Sequence, residues 1–108
     1  MALNAEATLL THEIATWEGV TIEDHFDKRA FKRCQIIFCT IDKTEALWCV
    51  KLTSGDQDLF GLFDRTAVYA VPNKWGAKGW TYLEVKKIPK ETLIAILLSA
   101  WALAERKN

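Results

Sequence analysis

The sequence has few of the residues that build metal centres, disulfide frameworks or active sites. Its three cysteines, Cys34, Cys39 and Cys49, are spaced 5 and 10 residues apart, which matches no zinc-binding pattern. We therefore expect reduced, buried thiols and no metal or other cofactor. A phosphate-binding glycine loop before a helix and a G-x-S-x-G elbow are also missing, so no enzymatic activity is predicted.

Long hydrophobic runs and an excess of one charge are missing as well. The longest apolar stretch, Leu93 to Ala104, is interrupted by Ser99 and is shorter than the roughly 20 residues of a membrane-spanning helix. The N-terminus carries Glu6 and Glu13 where a signal peptide is apolar, so we expect a cytoplasmic protein with no membrane partner. The 14 basic and 14 acidic residues cancel, so any nucleic-acid binding depends on local basic patches.

What the sequence does contain is enough apolar material for one core. Of the 108 residues, 50% are hydrophobic and 26% are charged, a balance typical of a globular domain. The sequence has no internal repeat, low-complexity segment or linker. Residues 1–108 are therefore predicted to form a single domain.

The periodicity of apolar residues predicts helices at both ends and strands between them. Near the N-terminus, the spacing predicts a helix with one buried stripe that contains Leu3, Ala7, Leu10, Ile14 and Trp17. The segment after Pro89 is apolar nearly all round, which predicts a helix buried on more than one side. Strands are predicted at 20–26, 33–41, 46–52, 67–71 and 80–85, with a helix from residue 54 to about residue 65. This order predicts an α+β fold with a largely antiparallel β-sheet.

The runs RCQIIFCTI and ALWCVKL are predicted to form a hairpin around residues 42–45. If Ile41 pairs with Ala46, Cys39 lies opposite Trp48, and one face of the hairpin is apolar and meets the helices. That inner face comprises Ile37, Cys39, Ile41, Ala46, Trp48, Val50 and Leu52, and the reverse face comprises Ile36, Phe38, Thr40, Leu47, Cys49 and Lys51. The reverse face is unusually apolar for a solvent-facing side, so either another element covers it or it binds a partner.

Two short basic segments are candidates for contact with DNA. The first contains Lys28, Arg29, Lys32 and Arg33, and in the second Lys74 and Lys78 flank Trp75. Cations beside an exposed aromatic ring suit a phosphate backbone and a stacked base. The alternative interpretation is that basic residues at strand edges discourage edge pairing and that the tryptophans belong to the core.

An ordered series of motifs resembles the MmcQ/YjbR family of small bacterial proteins. The motifs lie in VTIEDHFDKRAFKRCQIIFCTID, WCVKLTSGDQ, VPNKWGAKGWTYLEV and AILLSAWALA, from about Leu10 to Lys107. The resemblance implies a fold like that of bacterial frataxin homologues, with helices packed on one side of an antiparallel sheet, often described as a double-wing DNA-binding domain. Two features depart from the family pattern: Gln35 and Ile36 replace a common Gly-Lys, and Asp27 replaces a common glycine.

These observations leave three hypotheses. The leading one is a non-enzymatic DNA-binding domain that uses Lys28, Arg29, Lys32, Arg33, Lys74, Trp75 and Lys78. The second is a module that binds a protein, a second copy of the chain or a small ligand through Phe38, Leu47 and Cys49. The third, a weak hard-cation surface formed by Glu18, Glu23, Asp24 and Asp27, follows only from the fold analogy.

Overall fold

The part of the chain that the structure describes contains six strands and four helices, with four consecutive strands between the first two helices. This structure is a computed structural model that describes residues 2–105, without the side chains of residues 2–8 and 25. The elements are α1 (Ala2–Ala15), β1 (Val20–His25), β2 (Lys28–Arg33), β3 (Ile36–Ile41), β4 (Leu47–Lys51), α2 (Ser54–Gly61), β5 (Val68–Ala70), α3 (Lys74–Ala77), β6 (Trp80–Glu84) and α4 (Lys90–Glu105). A 3-10 turn, Val85–Lys87, joins β6 to α4.

The strands form one antiparallel sheet in the order β1-β2-β3-β4-β6-β5. Its buried side carries Phe31, Cys39, Trp48, Val50 and Leu83, each fully enclosed. The helix α4 packs on β2, β3 and β4, and α1 contacts β1. The predicted α+β fold, an antiparallel sheet with the N- and C-terminal helices on one side, is confirmed.

The core lies between this side of the sheet and the helices. The helical residues in the core are Leu10, Ile14, Leu93, Ile96, Leu97, Ala100 and Ala104. Burial of each leucine or isoleucine contributes about 1.5–3 kcal/mol. The predicted stripe of α1 is thus correct where its side chains are described. Leu3 and Ala7 lie outside the described side chains, and Trp17 packs against the core from the turn after the helix.

The hairpin of β3 and β4 forms with a different register from the predicted one. Cys39 pairs with Val50 rather than with Trp48. The connection between the strands spans residues 42–46 because Asp42 closes it: its carboxylate accepts a hydrogen bond from the amide of Leu47 at 3.3 Å. Because the shift is two residues, an even number, the residues of β4 keep their predicted faces.

A β-bulge changes the faces of β3 at its start. Phe31 of β2 pairs with Cys39, but the next residue, Lys32, pairs with Ile37, which leaves Phe38 as the extra residue. A bulge interrupts the two-residue alternation of a strand. Residues before the bulge therefore exchange the faces that simple alternation assigns to them.

The bulge overturns the predicted partner-binding role of Phe38. Phe38 is only 1% exposed and belongs to the core, not to the reverse side of the sheet. Ile36 likewise packs against the core. Ile37, which was assigned to the inner face, lies beside Lys32 on the opposite side.

Candidate nucleic-acid interface

The side of the sheet that faces away from α1 and α4 carries the candidate site, and we call it the open face. Residues paired across neighbouring strands point to the same side of a sheet. One row across the open face therefore consists of Ala30, Thr40, Cys49, Tyr82 and Tyr69. The pairing places on the same side Thr21, Glu23, Lys28, Lys32, Ile37, Leu47, Lys51, Trp80 and Glu84.

Two tyrosines give the open face an aromatic centre. The rings of Tyr69 and Tyr82 meet edge to face, with centroids 5.8 Å apart and planes at 66°. The Tyr69 hydroxyl donates a 2.5 Å hydrogen bond to Glu84. This bond raises the pKa of Tyr69 to about 12 and lowers the pKa of Glu84 below its usual value. The hydrogen bond and the ring contact therefore hold Tyr69 in one orientation.

Two lysines lie over tryptophan rings near one end of the sheet, one pair on the open face and the other on α3. Lys51 Nζ is 5.8 Å from the ring centroid of Trp80, its cross-strand partner. Lys78 Nζ is 5.1 Å from the ring centroid of Trp75, which is 49% exposed. Each pair offers a cation and an aromatic ring in one place, the combination that suits a phosphate and a base.

Hydrogen bonds from α2 and from the loop itself position the segment that carries Trp75. The Gln57 side chain donates to the carbonyl of Gly76 at 3.1 Å and to the Thr81 hydroxyl at 2.9 Å. The Asn73 side chain accepts from the amide of Trp75 at 2.8 Å and so begins α3. The second predicted basic segment is therefore a short ordered helix with Lys74, Trp75 and Lys78 on its exposed side.

The first basic segment is divided among three environments. Lys32 lies on the open face and forms a 3.1 Å ion pair with Glu23. Lys28 also lies on this face, at the other end of β2. Arg29 is exposed at the same end but points to the other side of the sheet. In the strand register it lies opposite Asp24 of β1.

The end of the sheet around Arg29 has mixed charge. A depression of about 330 Å³ there is lined by Asp24, Phe26, Asp27, Lys28, Arg29, Ile41, Asp42, Lys43 and Glu45. Its four carboxylates outnumber its three cations, so this depression does not favour the binding of a polyanion. The turn residue with positive φ between β1 and β2 is Phe26, at +61°.

Arg33 is not a nucleic-acid contact, which corrects the prediction. It is 5% exposed, and its guanidinium carbon lies 3.6 Å from the centroid of the Trp101 ring. Its Nη1 donates to the carbonyl of Trp101 at 3.0 Å, and Nη2 lies 3.6 Å from Glu105. Alternation from Phe31 places Arg33 on the covered side of β2, where it joins the sheet to the end of α4.

The three thiols differ in exposure. Cys39 is buried, Cys49 is half-buried on the open face, and Cys34 is exposed in the turn between β2 and β3. The prediction of buried thiols is therefore wrong for Cys34, because a turn at φ +52° turns it to the surface. Burial raises the pKa of Cys49 to about 11 and that of Cys39 well above its usual value, so both are protonated at neutral pH.

The predicted partner surface is reduced by the loss of Phe38. Leu47 and Cys49 remain on the open face, both half-buried. Their neighbours across the strands are Glu84, Thr40 and Tyr82, all with polar groups. The open face is therefore an aromatic and basic surface more than an apolar one.

Two kinds of feature are absent from the described part of the chain. No group of three or more histidine, cysteine, aspartate or glutamate side chains there has the arrangement of a metal site. No helix among those residues is both long and apolar enough to span a bilayer.

Sequence reasoning missed Lys51 and Trp80 as site residues and did not recognise Tyr69 and Tyr82. The alternation of Trp80, Tyr82 and Glu84 was a visible signal for one strand face. The pairing of β6 between β4 and β5, however, brings together residues far apart in the chain, and local periodicity does not specify such a pairing.

No family, curated protein or solved structure matches the chain. The resemblance to the MmcQ/YjbR family therefore remains a prediction based on its motifs.

Proposed function

We propose that the chain is a non-enzymatic DNA-binding domain that binds single strands across its open face and α3. The observation that carries this proposal is a pair of lysine–tryptophan contacts, Lys51 with Trp80 on the open face and Lys78 with Trp75 on α3. The two lysines and Trp80 line the same groove at the end of the sheet. Bases stack on such rings with little sequence preference while lysines follow the phosphates.

The charge distribution supports the proposal although the chain is neutral overall. Glu23 and Glu84 are the carboxylates that strand pairing places on the open face, and each is engaged: Glu23 with Lys32, and Glu84 with Tyr69 and Lys87. Among the described residues, Lys28, Lys51, Lys74 and Lys78 form no ion pair. The end of the open face next to α3 therefore carries lysines that no ion pair in the described chain neutralises, whereas Lys28 lies in the depression of mixed charge at the opposite end.

The shape of the surface favours a single strand over a duplex. A duplex is read by an element that enters a groove, whereas the open face is a sheet surface with partly exposed rings. Bases that are already unpaired reach such rings directly. Duplex DNA of the same length is therefore expected to bind more weakly.

Fluorescence anisotropy with a labelled thymidine strand of about 12 bases tests the proposal. If about three lysines contact phosphates, affinity should fall about 20-fold between about 50 and 200 mM salt. Trp75→Ala should weaken binding about tenfold through the loss of one stacked base, and Lys51→Gln should lower the salt dependence. Lys90→Gln, at the exposed start of α4, is the matched control and should bind like the unchanged protein. Absence of binding at the lower salt concentration would refute the proposal.

A further inference from the structure

A groove of about 660 Å³ opens at the end of the sheet where β3 and β4 separate. The pairing of these strands runs from Ile41 to Cys39, and the bulge then turns the start of β3 toward β2. The last turns of α4 form the floor, and α3 with Trp80 forms one wall. The complete lining is Gln35, Ile36, Ile37, Phe38, Lys51, Leu52, Thr53, Ser54, Ala77, Lys78, Trp80, Ala100, Leu103 and Ala104.

The lining separates into an apolar floor and a positively charged rim. The apolar part is formed by β3 and by Leu103 and its neighbours on α4. Lys51 and Lys78 are the charged residues of the lining, and no carboxylate belongs to it within the described part of the chain. A ligand that complements this groove therefore has an apolar body and a negative charge.

We propose that the groove binds an amphipathic anion, a medium-chain alkyl carboxylate, with its chain along α4 and its carboxylate between Lys51 and Lys78. The groove has the size of small-molecule pockets, which measure about 300–1,000 Å³. Burial of each methylene adds affinity through the hydrophobic effect, so a chain of several carbons binds the floor while the lysines select the negative charge. This site goes beyond DNA binding, although it shares the two lysines with that proposed surface.

Isothermal titration calorimetry with decanoate and with the decyltrimethylammonium cation tests this assignment. Decanoate is expected to bind at least about tenfold more tightly, because the two ligands share a chain and differ in charge. The double variant Lys51→Gln, Lys78→Gln changes only rim residues and should weaken the binding of decanoate about tenfold. Equal binding of the two ions, or unchanged decanoate binding by the double variant, would overturn the proposal.

A pair of leucines on α4 tests the floor. Leu103→Glu places a carboxylate in the groove and should abolish decanoate binding. Leu98→Glu, on the same helix at a position that is 42% exposed and outside the groove, should leave it unchanged. Equal affinity of Leu103→Glu and the unchanged protein would refute the placement of the chain, with circular dichroism as the check that both variants fold.

DNA binding at the open face and anion binding in the groove can be tested independently. Lys32 lies on the open face but not in the groove, so Lys32→Gln should weaken DNA binding and leave decanoate binding unchanged. Leu103→Ala shortens the apolar floor without adding a charge beside Lys51 and Lys78, so it should weaken decanoate binding and leave DNA binding unchanged. Loss of both ligands in Lys32→Gln would contradict a distinct groove site.

Discussion

Replacement of Arg33 by alanine is expected to lower the free energy of unfolding by about 3 kcal/mol. The side chain stacks on Trp101 and donates to that residue's backbone carbonyl at 3.0 Å, in a position that is 5% exposed. A desolvated cation–π contact contributes up to about 2 kcal/mol, and a hydrogen bond of a charged group about 1.5–3 kcal/mol. The buried Nε has no hydrogen-bond acceptor among the described residues, which offsets part of this gain.

Urea denaturation of matched arginine variants measures this effect. Arg29→Ala removes an exposed arginine from the same strand and should change stability by less than about 0.5 kcal/mol. Arg33→Lys keeps the charge but loses the planar stacking on Trp101. Its free energy of unfolding should therefore lie between those of Arg33→Ala and Arg29→Ala. A loss below about 1 kcal/mol for Arg33→Ala would show that the contact between β2 and α4 does not depend on this side chain.

Gly79→Ala is expected to lower the free energy of unfolding by at least about 4 kcal/mol or to prevent folding. Gly79 has φ +105°, and an added Cβ would lie 2.0 Å from the carbonyl oxygen of Leu52. A left-handed residue with a side chain costs about 1–3 kcal/mol, and the clash is with backbone that cannot rotate away. The amide of Leu52 also donates to the carbonyl of Gly79 at 2.9 Å, so displacement would break the start of the β4–β6 pairing.

Gly55→Ala provides the matched control for this prediction. Gly55 lies in the first turn of α2, and the nearest side-chain atom is 4.0 Å from an added Cβ. Alanine there should leave the free energy of unfolding unchanged or raise it by up to about 1 kcal/mol. Thermal unfolding of both variants measures the difference. A Gly79→Ala protein with nearly unchanged stability would contradict the close approach of the two strands.

These contacts give the W-G-x-x-G-W motif a structural explanation. An added Cβ at Gly76 would also lie 2.0 Å from a backbone carbonyl oxygen, that of Val71. Both glycines let the chain pass close to neighbouring backbone and so place Trp75 and Trp80 beside the lysines. The glycines build the loop, whereas the tryptophans and lysines provide the proposed binding surface.

Much of the fold could be predicted because local periodicity was undisturbed. The alternation of Trp48, Val50 and Leu52 identified the covered face of β4, and it survived an incorrect register because the shift was even. The stripe through Leu10 and Ile14 identified the buried side of α1 in the same way.

The candidate site was harder to predict because it depends on features without a local pattern. A single extra residue at Phe38 reversed the faces at the start of β3, and no turn residue in RCQIIFCTI marks it. Arg33 was counted with its basic neighbours, although alternation from Phe31 points it into the interior. Lys51 and Trp80 became neighbours only through the non-local pairing of β4 with β6.

Amide chemical-shift mapping of the labelled protein during titration with a thymidine strand of about 12 bases tests the open-face assignment most directly. If a single strand binds across the open face, the largest shifts fall on the row through Thr40, Cys49 and Tyr82 and on α3. Residues on the exposed side of α4, such as Leu98, should not shift. Shifts confined to the helical side of the sheet, or no shifts at low salt, would contradict DNA binding at the open face.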